Sequence, residues 1–111
     1  MMKTQQVTLV ASVLAIGALP IQRFVGLDGA PCAAGTKALG VAAVDTDADN
    51  MAPVNVTGIM LVEAGAAVAA KAEIEVDATA RAITLTTGKS NGYALDSAAA
   101  AGDLIRIVRG I

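Results

Sequence analysis

Histidine and tryptophan are absent from the 111 residues, and Cys32, Phe24 and Tyr93 are each the sole representative of their kind. Without histidine, Ser/His/Asp and Cys/His catalytic arrangements are excluded, and the usual zinc ligand sets cannot assemble. A single cysteine forbids an internal disulfide, and Cys32, beside Pro31 and Gly35, reads as a small apolar residue. Basic charge is sparse as well: 8 Lys and Arg stand against 10 Asp and Glu, for a net charge of −2, with no dense basic run. Nucleic-acid binders show a basic stripe or aromatic platforms for bases, and this chain has neither. The apolar run Val7 to Leu19 is too short to span a membrane. These absences predict no enzyme, no cofactor, no metal site, no nucleic-acid partner and no membrane partner.

What is present is small and apolar. Hydrophobic residues make up 55% of the chain while aromatics make up 2%, so the core is built from alanine and valine rather than from rings. The length suits one domain spanning residues 1–111, in which residues 1–6 are read as a flexible arm. Alanine buries little area at about 25 cal/mol per Å². A domain of this kind is therefore expected to gain stability by association.

The patterning is β. Val54 and Val56 alternate with Asn55 and Thr57, Gly58 interrupts, and Ile59 to Val62 resumes as an apolar run. Ile74 and Val76 alternate with Glu73, Glu75 and Asp77, which predicts a half-buried strand with its carboxylates in water. Val7 to Ala15, Ile21 to Val25, Leu39 to Val44, Ile83 to Thr87, Tyr93 to Leu95 and Leu104 to Val108 are further strands. Between them, Asp45 to Pro53 is a polar loop, and the alanines of Asp96 to Ala101 suit one helical turn, stopped by Gly102. Short strands at intervals of about 8–12 residues predict an all-β barrel or sandwich with at most one short helix.

Several groupings carry a chemical suggestion and fail on spacing. Asp45, Asp47 and Asp49 have the opening spacing of a calcium loop, but Asn50 stands where glycine is required and Val56 where a carboxylate is required. Gly88, Lys89 and Ser90 end like a phosphate-binding loop whose upstream glycine is replaced by Ile83. The N-terminal segment has the outline of a secretory signal with an exit near Gly17 and Ala18. Its alternation of Val7, Leu9, Ala11 and Val13 with Thr8, Val10 and Ser12 favours a strand instead.

The order of motifs GTKALGV (Gly35 to Val41), VNVTG (Val54 to Gly58), VEAGAAV (Val62 to Val68) and GKSNGYALDSAAAAGDLIRIV (Gly88 to Val108) resembles the capsid decoration, or cement, proteins of tailed bacteriophages. The resemblance extends over nearly the whole chain, including RFVGLDG from Arg23 to Gly29. It implies a non-enzymatic virion protein, made in the bacterial host cytoplasm, that binds the outer surface of the head and stabilises the lattice of the major capsid protein. It also implies a homo-oligomer, with a trimer preferred to a dimer. Candidate contacts with the capsid or between copies are Met2, Lys3, Gln5, Gln6, Arg23, Phe24, Arg106 and Arg109, and Met2 to Val10 is expected to add a strand to a capsid edge. The alternative is a secreted or periplasmic small β-domain with its signal removed. A third reading, a nucleotide-dependent recombination factor, has only Gly88 to Ser90 behind it.

Overall fold

The computed structural model describes residues 3–111. Among these, the regular elements are all strands: β1 (Gln6–Leu14), β2 (Phe24–Gly26), β3 (Ala38–Ala42), β4 (Met51–Glu63), β5 (Ile74–Val76), β6 (Ala82–Thr84), β7 (Tyr93–Ala94) and β8 (Leu104–Arg109). The expected all-β domain is present, in the form of a curled half-barrel sheet.

The organising element is β4, whose 13 residues join the two halves that Gly58 divides in the sequence. It starts at Met51, so the last part of the expected polar loop is strand. Val54 and Asn55 pair with Ala11 and Val10 of β1 and also with Ala42 and Val41 of β3, which places β1 and β3 on opposite edges. Gly58 and Ile59 pair with Val7 and Gln6 of β1 and with Arg109 and Val108 of β8. Strands β3 and β8 therefore follow one another along the same edge of β4, and β1 runs along the other. Strand β2 extends the sheet beyond β3, and β7 extends it beyond β8. The β5–β6 pair closes part of the curl through single bridges, Glu73 to Tyr93 and Ala82 to Ala64.

Two apolar clusters follow from this path. Neighbouring residues of β3 point to opposite faces: Val41 belongs to the larger cluster, with Phe24, Met60, Val62, Ile74, Ile105 and Ile107, and Ala42 to the smaller, with Ala15, Leu19, Val25, Ala52 and Val54. Strand β4 contributes Ala52 and Val54 to the smaller cluster and Met60 and Val62 to the larger, all at even positions. A regular strand would keep those four on one face. The switch occurs around Gly58, whose φ of 107° only glycine adopts readily, opposite register shifts in β1 between Val7 and Val10.

Three expected elements differ. Ile21 and Gln22 form a turn, with Gln22 at φ 63°, so the second strand begins only at Phe24. The segment Asp96 to Ala101 contains no helix. Its amides have other acceptors: Ala99 and Ala100 donate to Asp103 Oδ2 at 2.9 and 3.2 Å, and Ala98 exchanges backbone bonds with Val68. The strand expected to reach Thr87 ends at Thr84, because the Thr86 and Gly88 amides turn toward the Glu75 carboxylate.

Candidate functional site

Among the described residues no group of carboxylates or cysteine could hold a metal ion, and the hydroxyls that meet carboxylates, Thr79 Oγ1 on Asp77 Oδ1 at 2.9 Å and Thr86 Oγ1 on Glu75 Oε2 at 3.1 Å, sit in turns of the fold. The calcium-like triplet forms no such group: Asp45 Oδ1 accepts the Ile21 amide at 2.7 Å, and the Asp49 backbone amide donates to Ala15 O at 2.7 Å.

At the N-terminal end, Met2 lies outside the described residues. Lys3 Nζ donates to Leu104 O, Gln5 Oε1 accepts the Leu61 amide at 2.9 Å, and Gln6 opens β1 with its side chain exposed. Residues Gln6 to Val10 of the segment expected to add a strand elsewhere already lie along β4. Strand β4 is the sole strand partner of β1 among the described residues, so the second edge of β1 has no strand beside it; only past its end does a loop meet it, where the Ile16 amide donates to Gly29 O at 3.1 Å.

Arg23 belongs to a part-exposed charge cluster at the far end of β4. Its Nη2 and the Nη1 of Arg81 both reach Glu63 Oε2 at 3.2 Å, and Arg81 Nε lies 3.8 Å from Asp77 Oδ2. Arg106 forms a bidentate pair with Asp96, at 3.0 Å through Nε and 3.0 Å through Nη2. That guanidinium, by hydrogen bond and then by charge, holds the Asp96 carboxyl below its usual range. These two arginines present charge at the surface.

Phe24 and Arg109 are placed differently. Phe24 is 1% exposed at the centre of the larger cluster, so its ring serves the fold. Arg109 is 8% exposed and fills the fork where β3 and β8 separate along β4. Its Nη1 donates to Leu39 O at 2.7 Å and Val56 O at 3.1 Å, and its Nη2 to Ala38 O at 2.9 Å and Asn91 Oδ1 at 3.4 Å. Val56 lies between the residues of β4 that pair with β3 and those that pair with β8, so the guanidinium supplies the donor that the ladder lacks there. Asn91 completes the closure by accepting the Ala38 amide and donating to Thr36 O. A cleft of about 400 Å³ opens beside it, lined in part by Lys37, Glu73 and Tyr93. Lys37 Nζ is engaged with Ser90 O at 2.6 Å.

Glu75 corrects the expectation of a solvated outer face, since it is 6% exposed. Its Oε2 accepts bonds from Thr86 N, Thr86 Oγ1 and Gly88 N. The amides of the stretch that ends like a phosphate-binding loop thus close on an internal carboxylate. Gly88 also approaches Gly35 so closely that an added Cβ would lie 2.7 Å from Gly35 Cα. Bonding first to the Thr86 amide holds the Glu75 carboxyl below its ordinary range. Because the folded value is the lower one, Glu75 adds stability above its unfolded value of about 4.3. That contribution disappears as pH falls through the folded value. Acid titration of Glu75→Gln should show a shallower loss of stability below about pH 4 than the parent; an unchanged slope would assign the acid sensitivity to other carboxylates such as Asp96.

The family described as phage cement protein matches residues 2–109. The crystal structure of the head fiber gp8.5 N base in bacteriophage phi29 matches at a TM-score of 0.76 and 20% identity, covering 92% of this chain and 93% of that chain, a likeness of fold. No curated protein sequence matches.

Proposed function

The chain belongs to the phage cement protein family, and from that premise we propose that it binds the outer surface of a phage head as a homo-oligomer and ties neighbouring subunits of the major capsid protein together. Family membership makes it a structural protein of the phage head, and the observation that carries the reading is the match over residues 2–109. It acts without catalysis, on a virion assembled from protein made in the host cytoplasm. Each bridge adds binding free energy that must be lost before subunits separate, and symmetry repeats the bridge many times. The exposed Lys3, Gln5 and Gln6 and the part-exposed Arg23 and Arg106 are its candidate contacts, together with Met2.

The secreted-domain alternative fits the packing poorly. Removal of the chain up to Ala18 would take β1 from β4 and Ala15 from the smaller cluster.

Co-sedimentation of the purified protein with heads that lack it tests the proposal. Saturable binding at a fixed ratio to capsid subunits is expected. Absence of binding to both expanded and unexpanded heads would overturn the cement role.

A further inference from the structure

We infer that the free edge and outward apolar side chains of β1 form the contact between copies of this chain. The inference takes up the homo-oligomer in the proposed function and is independent of the capsid.

The observation is a strand with too much apolar surface for an isolated molecule. Leu9, Val10, Leu14 and the adjoining Ile16 are each more than half exposed, and so is Met51, which pairs directly with Leu14 across β1 and β4. Single exposed apolar residues are ordinary, whereas several along the open edge of a nine-residue strand are a template for association. Soluble proteins blunt such edges with charge or proline. From Val7 to Ile16 there is neither, and from Met51 to Ile59 Pro53 is the sole proline and no residue is charged.

Charge selects a second copy as the occupant. The uncharged strip offers nothing to a charged foreign surface, and charge depletion of this kind marks the cores of interfaces between identical chains. At its ends the strip is polarised. Lys3, whose Nζ donates to Leu104 O and has donors to spare, stands at the start, while Asp47 and Asp49 stand at the finish, where the Asp49 amide bonds to Ala15 O. None of these three takes part in an ion pair among the described residues. Antiparallel about a twofold axis, identical copies place each end beside its complement, and the pairing of the two edges removes the free edge.

The test uses the whole chain without heads. Light scattering should give a multiple of the 11.0 kDa monomer mass, and the melting temperature should rise with protein concentration. In the double variant Val10→Glu, Leu14→Glu, self-association should weaken about tenfold or more and the concentration dependence should vanish. Both substituted side chains point to solvent in the single chain, so its circular dichroism should match the parent's. A variant that keeps the parent's mass overturns the assignment of this face while leaving the oligomer intact. A parent that is monomeric overturns self-association itself; if the variant then also fails to co-sediment with heads, the face belongs to the capsid contact. A variant with altered circular dichroism would be replaced by Met51→Glu, whose monomeric or parental mass decides in the same way.

Discussion

Arg109→Met will lose roughly 3 kcal/mol of unfolding free energy, because one buried and two part-buried carbonyl oxygens lose their donor, at about 1–3 kcal/mol for a buried one and less where water reaches. Those oxygens belong to Ala38, Leu39 and Val56. Methionine matches the length of the arginine stem but offers no donor, so the fork between β3 and β8 either collapses or admits water. Burial lowers the Arg109 pKa, yet a guanidinium stays charged throughout the accessible range, and its charge strengthens each bond to a carbonyl dipole. Arg109→Lys should recover only part of the loss, since an ammonium cannot reproduce a planar fork that spans two strands. Against a total of about 5–15 kcal/mol for a domain, the methionine variant should be largely unfolded in mild urea. A midpoint in urea denaturation equal to the parent's would show that the carbonyls find other donors.

Gly58→Val should cost about 3 kcal/mol by a separate route, combining a strained backbone with a steric clash. At φ 107° a β-branched residue is disfavoured by itself. An added Cβ would also lie 2.4 Å from Gln6 O and 2.8 Å from Thr8 N, both backbone atoms of β1 that move only if the strand moves. The damage should therefore be local. Amides of β1 should lose protection from hydrogen exchange before those of β8. Gly102→Ala is the control, since its φ is 94° but a Cβ there meets nothing within 4 Å. It should cost only the conformational term, about 1–2 kcal/mol. Equal losses in the two variants would remove the close approach of β1 as the cause.

The contrast between these glycines shows how far the sequence could be read. Strand character at Val7 to Leu14, Val54 to Val62 and Leu104 to Val108 was legible because apolar and β-branched residues carry it locally. The role of Gly58 was half legible: it reads as an interruption, whereas the strand continues through it and changes the face it buries. Arg109 and Glu75 were misplaced on the surface for a shared reason. Their partners, Ala38 and Leu39 for the one and Thr86 and Gly88 for the other, are backbone groups distant in sequence. No side-chain pattern announces a backbone partner. The alanines of Asp96 to Ala101 have helix propensity, but the nearby Asp103 carboxylate and Val68 backbone capture their amides, so tertiary bonding prevailed.

The long overlap of β1 with β4 has a mechanical side. Their pairing runs from Gln6 opposite Ile59 to Leu14 opposite Met51, so a pull directed along the strands loads the whole row of bonds together. A pull across the strands would open the same bonds one after another, beginning at whichever end bears the load. Resistance to rupture is thus anisotropic: the N-terminal strand is tough in shear and weak in peeling, and the direction in which a neighbour holds it decides which of the two applies.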